Sequence, residues 1–586
     1  MCLVFRYFVY FYLFYFLVGY SALTAQNLSS PVYECSGISL IYGSKSDDLP
    51  SLSPLGQARL TISSFDSAIT LAQLMDDQSS NFTLTLQDLH RIGEVPLHYL
   101  RSLGYEGLVV FPDPKQIDPV SGKDLRQQND KELRFMIWVS RLQSVELENG
   151  GIKQATFIRL QSVMNRVHQV APEAAPAITS KNVRFWNRFS RASSRRSQVI
   201  LSPGDQAGHV VAVLKVRPEE KPSFSLQSTN SGTSTTGKWI LGGTYSNDQL
   251  SGADDRLDLS YLSSDTGERE AYNVSYQRPI LYPDILELGV SFGFSNYDAS
   301  SFAITRIDFA GDTRSADLFA RWNPLGTEFK NYSFAFELGV KGEQVKATNS
   351  LSTGEADANI ITPRIAVKLS TQGTYLRTES KLSLRGNVHS IQDSDQALLG
   401  GVNTQDKFER LSITYLESLK FGKWLHDQFS DTFSESWADQ TLVTRFQGDL
   451  ALRDQRHLPQ HQFITGGTGS VRGYPESPIA GDSGYSLSIE HRIPLPAASM
   501  GKGKSIQATV IPFVDWGETM VTDPLFYESD HSIIGAGIGL ELKTNLGAMA
   551  RIDFAQPLRE VVSNGNILAG TRSSDHRVHA SLRWEF

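Results

Sequence analysis

The sequence predicts a transmembrane β-barrel of about 16 antiparallel strands, preceded by two small α+β modules. Three observations point there. From residue 222 onward, segments of about ten residues alternate apolar and polar side chains between turns rich in Gly, Asn, Asp and Ser. The stretch RVHASLRWEF at 577–586 alternates without a break and ends on an aromatic residue. Before residue 218 the spacing is different, with helical periodicity set between short strands.

Composition bounds the answer. The chain has 586 residues and a formal charge of -8. That length exceeds one ordinary domain, so about two to four units are expected. Mean hydropathy is -0.24, and past the first twenty-odd residues no apolar run is long enough for a spanning helix. A helical membrane bundle is therefore excluded. A membrane barrel is not, because alternating strands hide from hydropathy. The acidic balance argues against nucleic acid as a partner. Cys2 and Cys35 are the only cysteines, too few for a disulfide framework or a metal knot.

Residues 1–25 read as a secretory signal. Arg6 precedes an aromatic, apolar core, and SALTA offers cleavage after Ala25. An uncleaved anchor is the competing reading, and either takes the chain out of the cytoplasm. In the next part, SGISLIYG at 36–43 reads as a strand, and 65–76 and 86–103 have helical spacing. Gly104 suits a left-handed C-cap. LVVFPDP and the run 133–147 read as further strands. This order, strand, helix, helix, strand, strand, fits a POTRA module, a small periplasmic docking unit. A weaker second copy follows, with helices at 155–170 and 182–190 and a hairpin at 198–216. The expected division is a signal at 1–25, modules at 26–135 and 136–218, and a barrel at 219–586.

The barrel strands are expected to start near 223, 239, 256, 269, 285, 313, 332, 359, 375, 408, 440, 485, 506, 532, 547 and 577. An even number lets an antiparallel barrel close with both ends on one side. In 332–341, Tyr332, Phe334, Phe336, Leu338 and Val340 face one way, and Ser333, Glu337 and Lys341 the other. In 533–543, Ile534, Ala536, Ile538, Leu540 and Leu542 oppose three glycines, Glu541 and Lys543. In the last strand, Val578, Ala580, Leu582, Trp584 and Phe586 oppose Arg577, His579, Ser581, Arg583 and Glu585. Lipid would meet the first face and a wet lumen the second.

One loop stands out. GGTGSVRGYPES at 466–477 is glycine-rich and carries a single cation, Arg472, flanked by Val471, Gly473 and Tyr474. FVDWG at 513–517 follows in a strand-like run. Alternation puts Phe513, Asp515 and Gly517 on the face opposite Val514 and Trp516. If Trp516 meets lipid, Asp515 faces the lumen and is available to the planar fork of Arg472. Gly517 would leave room for the loop, Tyr474 would pack on Phe513, and Glu490 would be a second partner for Arg472. The bland alternative is a solvated loop arginine.

At these residues the chain resembles the B component of two-partner secretion, the hemolysin-activator and filamentous-hemagglutinin transporter family. That family shares a superfamily with the BamA barrel assemblers. The match rests on HLPQHQFITGGTGSVRGYPES at 457–477, on FVDWG, and on the opening hairpin LQSTNSGTSTTGKW at 226–239. The resemblance implies an inward-folded loop, at 453–484, whose Arg472 meets a wall aspartate. It implies export of one large secreted β-rich exoprotein, bound by the POTRA modules, with no cofactor, and driven by folding outside. It also implies barrel-insertion machinery that reads Trp584 and Phe586, periplasmic chaperones, and outer-membrane lipid as partners. A plug helix, common in the family, is expected to be missing, and the stretch 44–62 is unusual. A barrel-assembly factor and a passive porin are the competing functions.

Other constellations carry no chemistry. Pro459 spoils a helical metal pair of His457 and His461. The glycines of 466–473 lack the Lys and Ser/Thr of a phosphate loop. Asp254 with Asp255 and Glu219 with Glu220 read as solvated turns. The basic run NRFSRASSRR at 187–196 reads as a solvated face, with membrane headgroups as the functional alternative. No triad or metal cluster is visible, so no enzyme is expected.

Overall fold

The computed structural model describes residues 31–586 except 44–48, 77–80, 128, 150–176, 181, 183–196, 207, 217–221, 234, 253–254, 282–284, 303–306, 325–331, 350–353, 400–403, 406, 429–437, 454–455, 502, 526–527, 564 and 569. The signal at 1–25, the helix expected at 155–170, all but Asn182 of the helix expected at 182–190, the basic run at 187–196, Asp254, and Glu219 with Glu220 lie outside the described residues. The chain divides into two compact units, Met1–Glu219 and Glu220–Phe586.

The first unit holds two mixed sheets of one design. In the first sheet, Gly37–Tyr42 runs parallel to Glu132–Val139, which pairs antiparallel with Leu108–Pro112. In the second, Arg141–Asn149 runs parallel to His209–Val216, which pairs antiparallel with Ser197–Pro203. The repeated order, first strand, third strand, second strand, is the structural form of the weak internal repeat. A cut after residue 135 would divide the strand Glu132–Val139, which belongs whole to the first sheet. We propose the module junction at Ser140, between the two sheets.

The helix Leu86–Ser102 buries Leu89, Ile92 and Leu100 against Ile38, Leu133, Phe135 and Ile137. Its start is fixed by a capping box. Asp88 accepts from the Thr85 amide at 2.9 Å and hydroxyl at 2.7 Å, and the Asp88 amide donates back to Thr85 at 3.3 Å. Gly104, at φ +88°, follows its end. The helix expected at 65–76 is shorter. Only Leu71–Met75 is helical, because Thr70 and Gln73 form a capping box there and Ile69 pairs with Leu60. The unusual stretch is part of the core, with Leu55, Leu60 and Ile62 buried.

The second unit is a closed antiparallel barrel. Its strands are Ser223–Thr229, Ile240–Asn247, Arg256–Ser264, Arg269–Leu281, Leu286–Phe302, Ile307–Trp322, Tyr332–Asn349, Glu355–Gln372, Leu376–Gly386, Glu409–Leu419, Thr441–Ala451, Ser483–Pro494, Lys504–Met520, His531–Thr544, Ala548–Pro557 and Arg577–Glu585. The short strand Ala498–Gly501 continues the twelfth along the thirteenth. Sixteen staves result, each near its expected start. The fifth to eighth run 16 to 18 residues, longer than the ten expected. At the paired ends of the seventh and eighth the alternation continues with its polarity reversed, Val345, Ala347, Ala356, Ala358 and Ile360 being buried while Glu355, Asp357 and Asn359 are exposed, so only part of each strand carries the apolar-out pattern.

The first strand closes the ring on the last, from Ser225 opposite Glu585 to Thr229 opposite Ser581. Asn230 prolongs this seam with its side chain. Its amide donates to Val578 O at 2.8 Å and accepts from the Ala580 amide at 2.8 Å. Closure leaves no sheet edge in the barrel. The outward residues Tyr332, Leu338, Ile538, Val578, Leu582 and Trp584 are exposed large apolar side chains, while inward Glu337, Asp515 and His579 are buried. Among the described residues no helix is long and apolar enough to cross a membrane; the strands carry that role.

Candidate functional site

The loop between the eleventh and twelfth strands turns into the barrel. It carries a two-strand hairpin, Phe463–Thr465 with Ile479–Gly481, and the tip between them holds Arg472. The tip closes on itself through Gly467 N to Val471 O at 2.9 Å and Gly466 N to Ser470 Oγ at 2.8 Å. Gly473 sits at φ +95°, where a Cβ would also lie 2.8 Å from the Gln556 carbonyl carbon.

Arg472 is 4% exposed and Asp515 fully buried. Nε donates to Asp515 Oδ2 at 2.7 Å and Nη2 to Oδ1 at 2.7 Å, a two-pronged fork. The Arg472 backbone amide adds a third bond to Asp515 at 3.0 Å. Nη1 donates to Glu490 at 2.8 Å and to Asp553 at 3.4 Å, and Nη2 to Ser488 Oγ at 3.1 Å. The guanidinium carbon lies 3.5 Å from the Phe513 ring centroid. The bland reading of a solvated arginine is therefore overturned. Glu490 also holds Arg551 at 2.7 Å, Arg445 at 3.2 Å and Arg492 at 3.4 Å. Arg551 reaches Asp553 at 3.0 Å, and Arg492 reaches Glu541 at 2.6 Å. Four guanidinium groups thus meet four carboxylates, with Arg445 half-exposed at the edge, so the formal charges of the cluster balance.

The wall is shaped to admit the tip. A Cβ on Gly535 would lie 1.9 Å from Arg472 O, and one on Gly517 2.9 Å from Thr465 Oγ1 and from Val471 Cγ2. Val471 and Tyr474 are fully buried and cluster with Ile479, Ile533 and Val561. Tyr474 does not take the expected place on Phe513. Its hydroxyl lies 2.8 Å from Ile534 O and 2.5 Å from Arg559 O, with one proton to donate between them, and accepts from the Ile534 and Arg559 amides at 3.2 Å each. Phe513 is covered by the guanidinium instead. Val514 and Trp516 are exposed, as alternation requires.

Sequence reading missed Ser488, Arg551, Asp553 and His579. It also missed the lumen carboxylate Glu337, 2% exposed, which meets Lys368 at 2.8 Å, Arg321 at 3.1 Å, Lys381 at 3.3 Å and Arg364 at 3.4 Å. Parity marked Glu337 and His579 as inward but gave no depth, and no parity was assigned to Ser488, Arg551 or Asp553. Asp255, expected in a solvated turn, is fully buried. It accepts from the Ser251 amide at 3.0 Å and from the Tyr276 hydroxyl at 3.0 Å, which closes the turn around it. His457 is a loop residue but is buried beside Phe408, ring centroids 5.3 Å apart. Phe586 stacks on Trp584 at 4.9 Å and lies 5.9 Å from Phe224 across the seam. Among the described residues no group of three or more His, Cys, Asp or Glu is arranged to hold a metal ion.

A closed sixteen-stave barrel, entered by its own arginine-tipped loop and preceded by two mixed sheets, defines an outer-membrane barrel of the POTRA-bearing class. The model of the Omp85 superfamily domain matches residues 250–567, more than half the chain, and the chain belongs to that superfamily. No curated protein matches the sequence. Among solved structures, CdiB from Escherichia coli is similar at 16% identity and TM-score 0.61, over 96% of this chain and 93% of that one. CdiB from Acinetobacter baumannii is similar at 14% identity and TM-score 0.56, over 96% and 91%. BamA from Haemophilus ducreyi lacking POTRA domains 1-3 is similar at 14% identity and TM-score 0.54, over 94% and 100%. The two sheets of the first unit fit POTRA modules, which places that unit in the periplasm.

Proposed function

We propose that this protein exports one large, β-rich partner protein across the outer membrane by two-partner secretion. The POTRA modules receive the partner by adding its strand to a sheet edge, and the barrel is the conduit. Folding of the partner outside supplies the drive, and the protein performs no enzymatic reaction. The observation that carries the reading is a two-module N-terminal unit joined to a barrel whose lumen is entered by a loop held through non-covalent contacts alone. The fold shared with CdiB along nearly the whole chain supports it. A passive porin has no use for the modules or the loop.

The fold shared with BamA favours one second reading, a barrel-assembly factor. Loss of this chain separates the two. Under the export reading, a deletion strain loses one secreted protein and keeps its other outer-membrane barrels at normal levels. A general fall in outer-membrane barrels, with secretion intact, would establish the assembly role and sink the export role.

A further inference from the structure

The tip of the inward loop is held from two sides, and only one of them is the Arg472 cluster. On the other side stands His579, on the last strand, 4% exposed. Its Nε2 accepts from the Gly473 backbone amide at 3.2 Å. Its Nδ1 lies 3.0 Å from Thr468 Oγ1, which in turn lies 2.7 Å from Glu476 Oε1. The Thr468 amide also donates to that oxygen, at 2.8 Å. Donor directions along this chain have one solution. Gly473 can only donate, so Nε2 carries no proton. A neutral ring then carries its proton on Nδ1 and donates to Thr468, whose hydroxyl donates to the Glu476 carboxylate.

We propose that His579 is a positioning residue that holds the loop tip against the last strand, through a neutral imidazole fixed in its Nδ1–H form. A doubly protonated ring loses the acceptor for Gly473. It also adds a cation close to Arg472 on the loop and Arg577 on its own strand, with Asp553 on the neighbouring strand and Glu476 on the loop as the facing carboxylates. Arg445, Glu490 and Arg551 line the same cavity. The last strand is also the one that closes the ring, so this contact ties the loop to the seam. The proposal rests on the loop entering the lumen and not on what is exported.

The test uses full-length protein in planar bilayers, reading the frequency of large-conductance excursions. His579→Leu fills the volume without an acceptor, and it should raise the frequency about fivefold, the factor of one hydrogen bond of ordinary net strength. His579→Gln restores an acceptor at the reach of Nε2 and should stay within about twofold of the unaltered protein. Both must run as folded barrels by heat-modifiable electrophoresis, and Arg472→Ala serves as the open control. Nitrogen NMR on histidine-labelled protein, with the Gln variant as the subtraction, reads the tautomer directly. A protonated Nε2 overturns the proposal, as does a Leu variant as quiet as the unaltered protein. A Gln variant as noisy as Leu overturns it too. Failure of the export reading would leave all these readouts unchanged, because none involves a partner.

Discussion

Arg472 tolerates burial because its five N–H donors find five acceptors, on Asp515 twice and on Glu490, Asp553 and Ser488. Arg472→Ala removes one charge from a neutral cluster and leaves a buried negative excess. Breaking such a pair costs about 3–5 kcal/mol. The closed loop should lose roughly that much, so export should fail and bilayer currents should fluctuate, in a barrel that still inserts. Normal secretion by this variant would show that the pairing of Arg472 with Asp515 does not hold the loop in place for export. Arg472→Lys keeps the charge but not the planar fork, so it should fall between the two. Asp515→Ala should act in the same direction as Arg472→Ala. Gly535→Ala is an independent test from the wall side. Its methyl would meet Arg472 O at 1.9 Å, so the tip must withdraw although every charge remains. The same open phenotype is expected, read by the same currents. The pairing of Arg472 with Asp515 and Glu490 was legible because motif and strand parity agreed. Asp553, Arg551 and His579 were not. Parity says that a side chain points inward, whereas strand stagger decides how deep it lies, and a sequence does not display stagger.

At the scale of elements, sequence and structure agree where a period is uninterrupted and part where a cap or turn decides. Fifteen of the sixteen strand starts lie within four residues of where the alternation puts them, the sixth begins at Ile307 rather than near 313, and the helix Leu86–Ser102 follows from its spacing. The stretch 65–76 has helical spacing too, but the capping box at Thr70 starts the helix late. Asp88 shows how much one capping group carries. Besides Thr85, it accepts from the Ser63 amide at 3.1 Å and hydroxyl at 3.0 Å, tying the helix to a neighbouring turn. Burial pushes its carboxyl up, but the hydrogen bonds from Thr85 and Ser63 outweigh that and hold it below the usual carboxylate range. A depressed folded value means that the stabilisation is complete above the unfolded value of about 3.9 and is lost as pH falls below it. Asp88→Ala should therefore destabilise the first module by about 2–4 kcal/mol at neutral pH. Hydrogen exchange of 86–102 in the full-length protein reads this. The gap between variant and unaltered protein should narrow as pH drops through 4 toward 3, and a gap that widens there would refute the assignment.

In the whole molecule, the loop is rooted as well as locked, and the two ends make different contacts. Strand parity puts its root at the rim opposite the start of the first strand, which is the cell exterior given periplasmic modules. There Arg456 grips Glu528 through two bonds, of 2.5 and 2.8 Å, and Asp523 O at 3.0 Å. Asp482 accepts from the His457 amide at 2.7 Å and the Thr522 amide at 2.8 Å. Leu458 joins an apolar cluster with Val345, Ala356, Ile391 and Leu399. This root packs on loops and on the ends of strands seven and eight, whereas the tip packs on strands twelve to sixteen. The tip can therefore swing free while the root holds, which is the motion a conduit needs. Removing residues 459–478 and bridging the gap with Gly and Ser takes away the plug and spares Arg456 and Asp482. That variant should show a steady large conductance, because nothing remains to re-enter the lumen. Arg472→Ala should instead flicker, because a rooted loop still returns. Equal, steady currents from both would mean that the root does not retain the loop. A deletion variant as quiet as the unaltered protein would mean that the lumen is closed by something other than this loop.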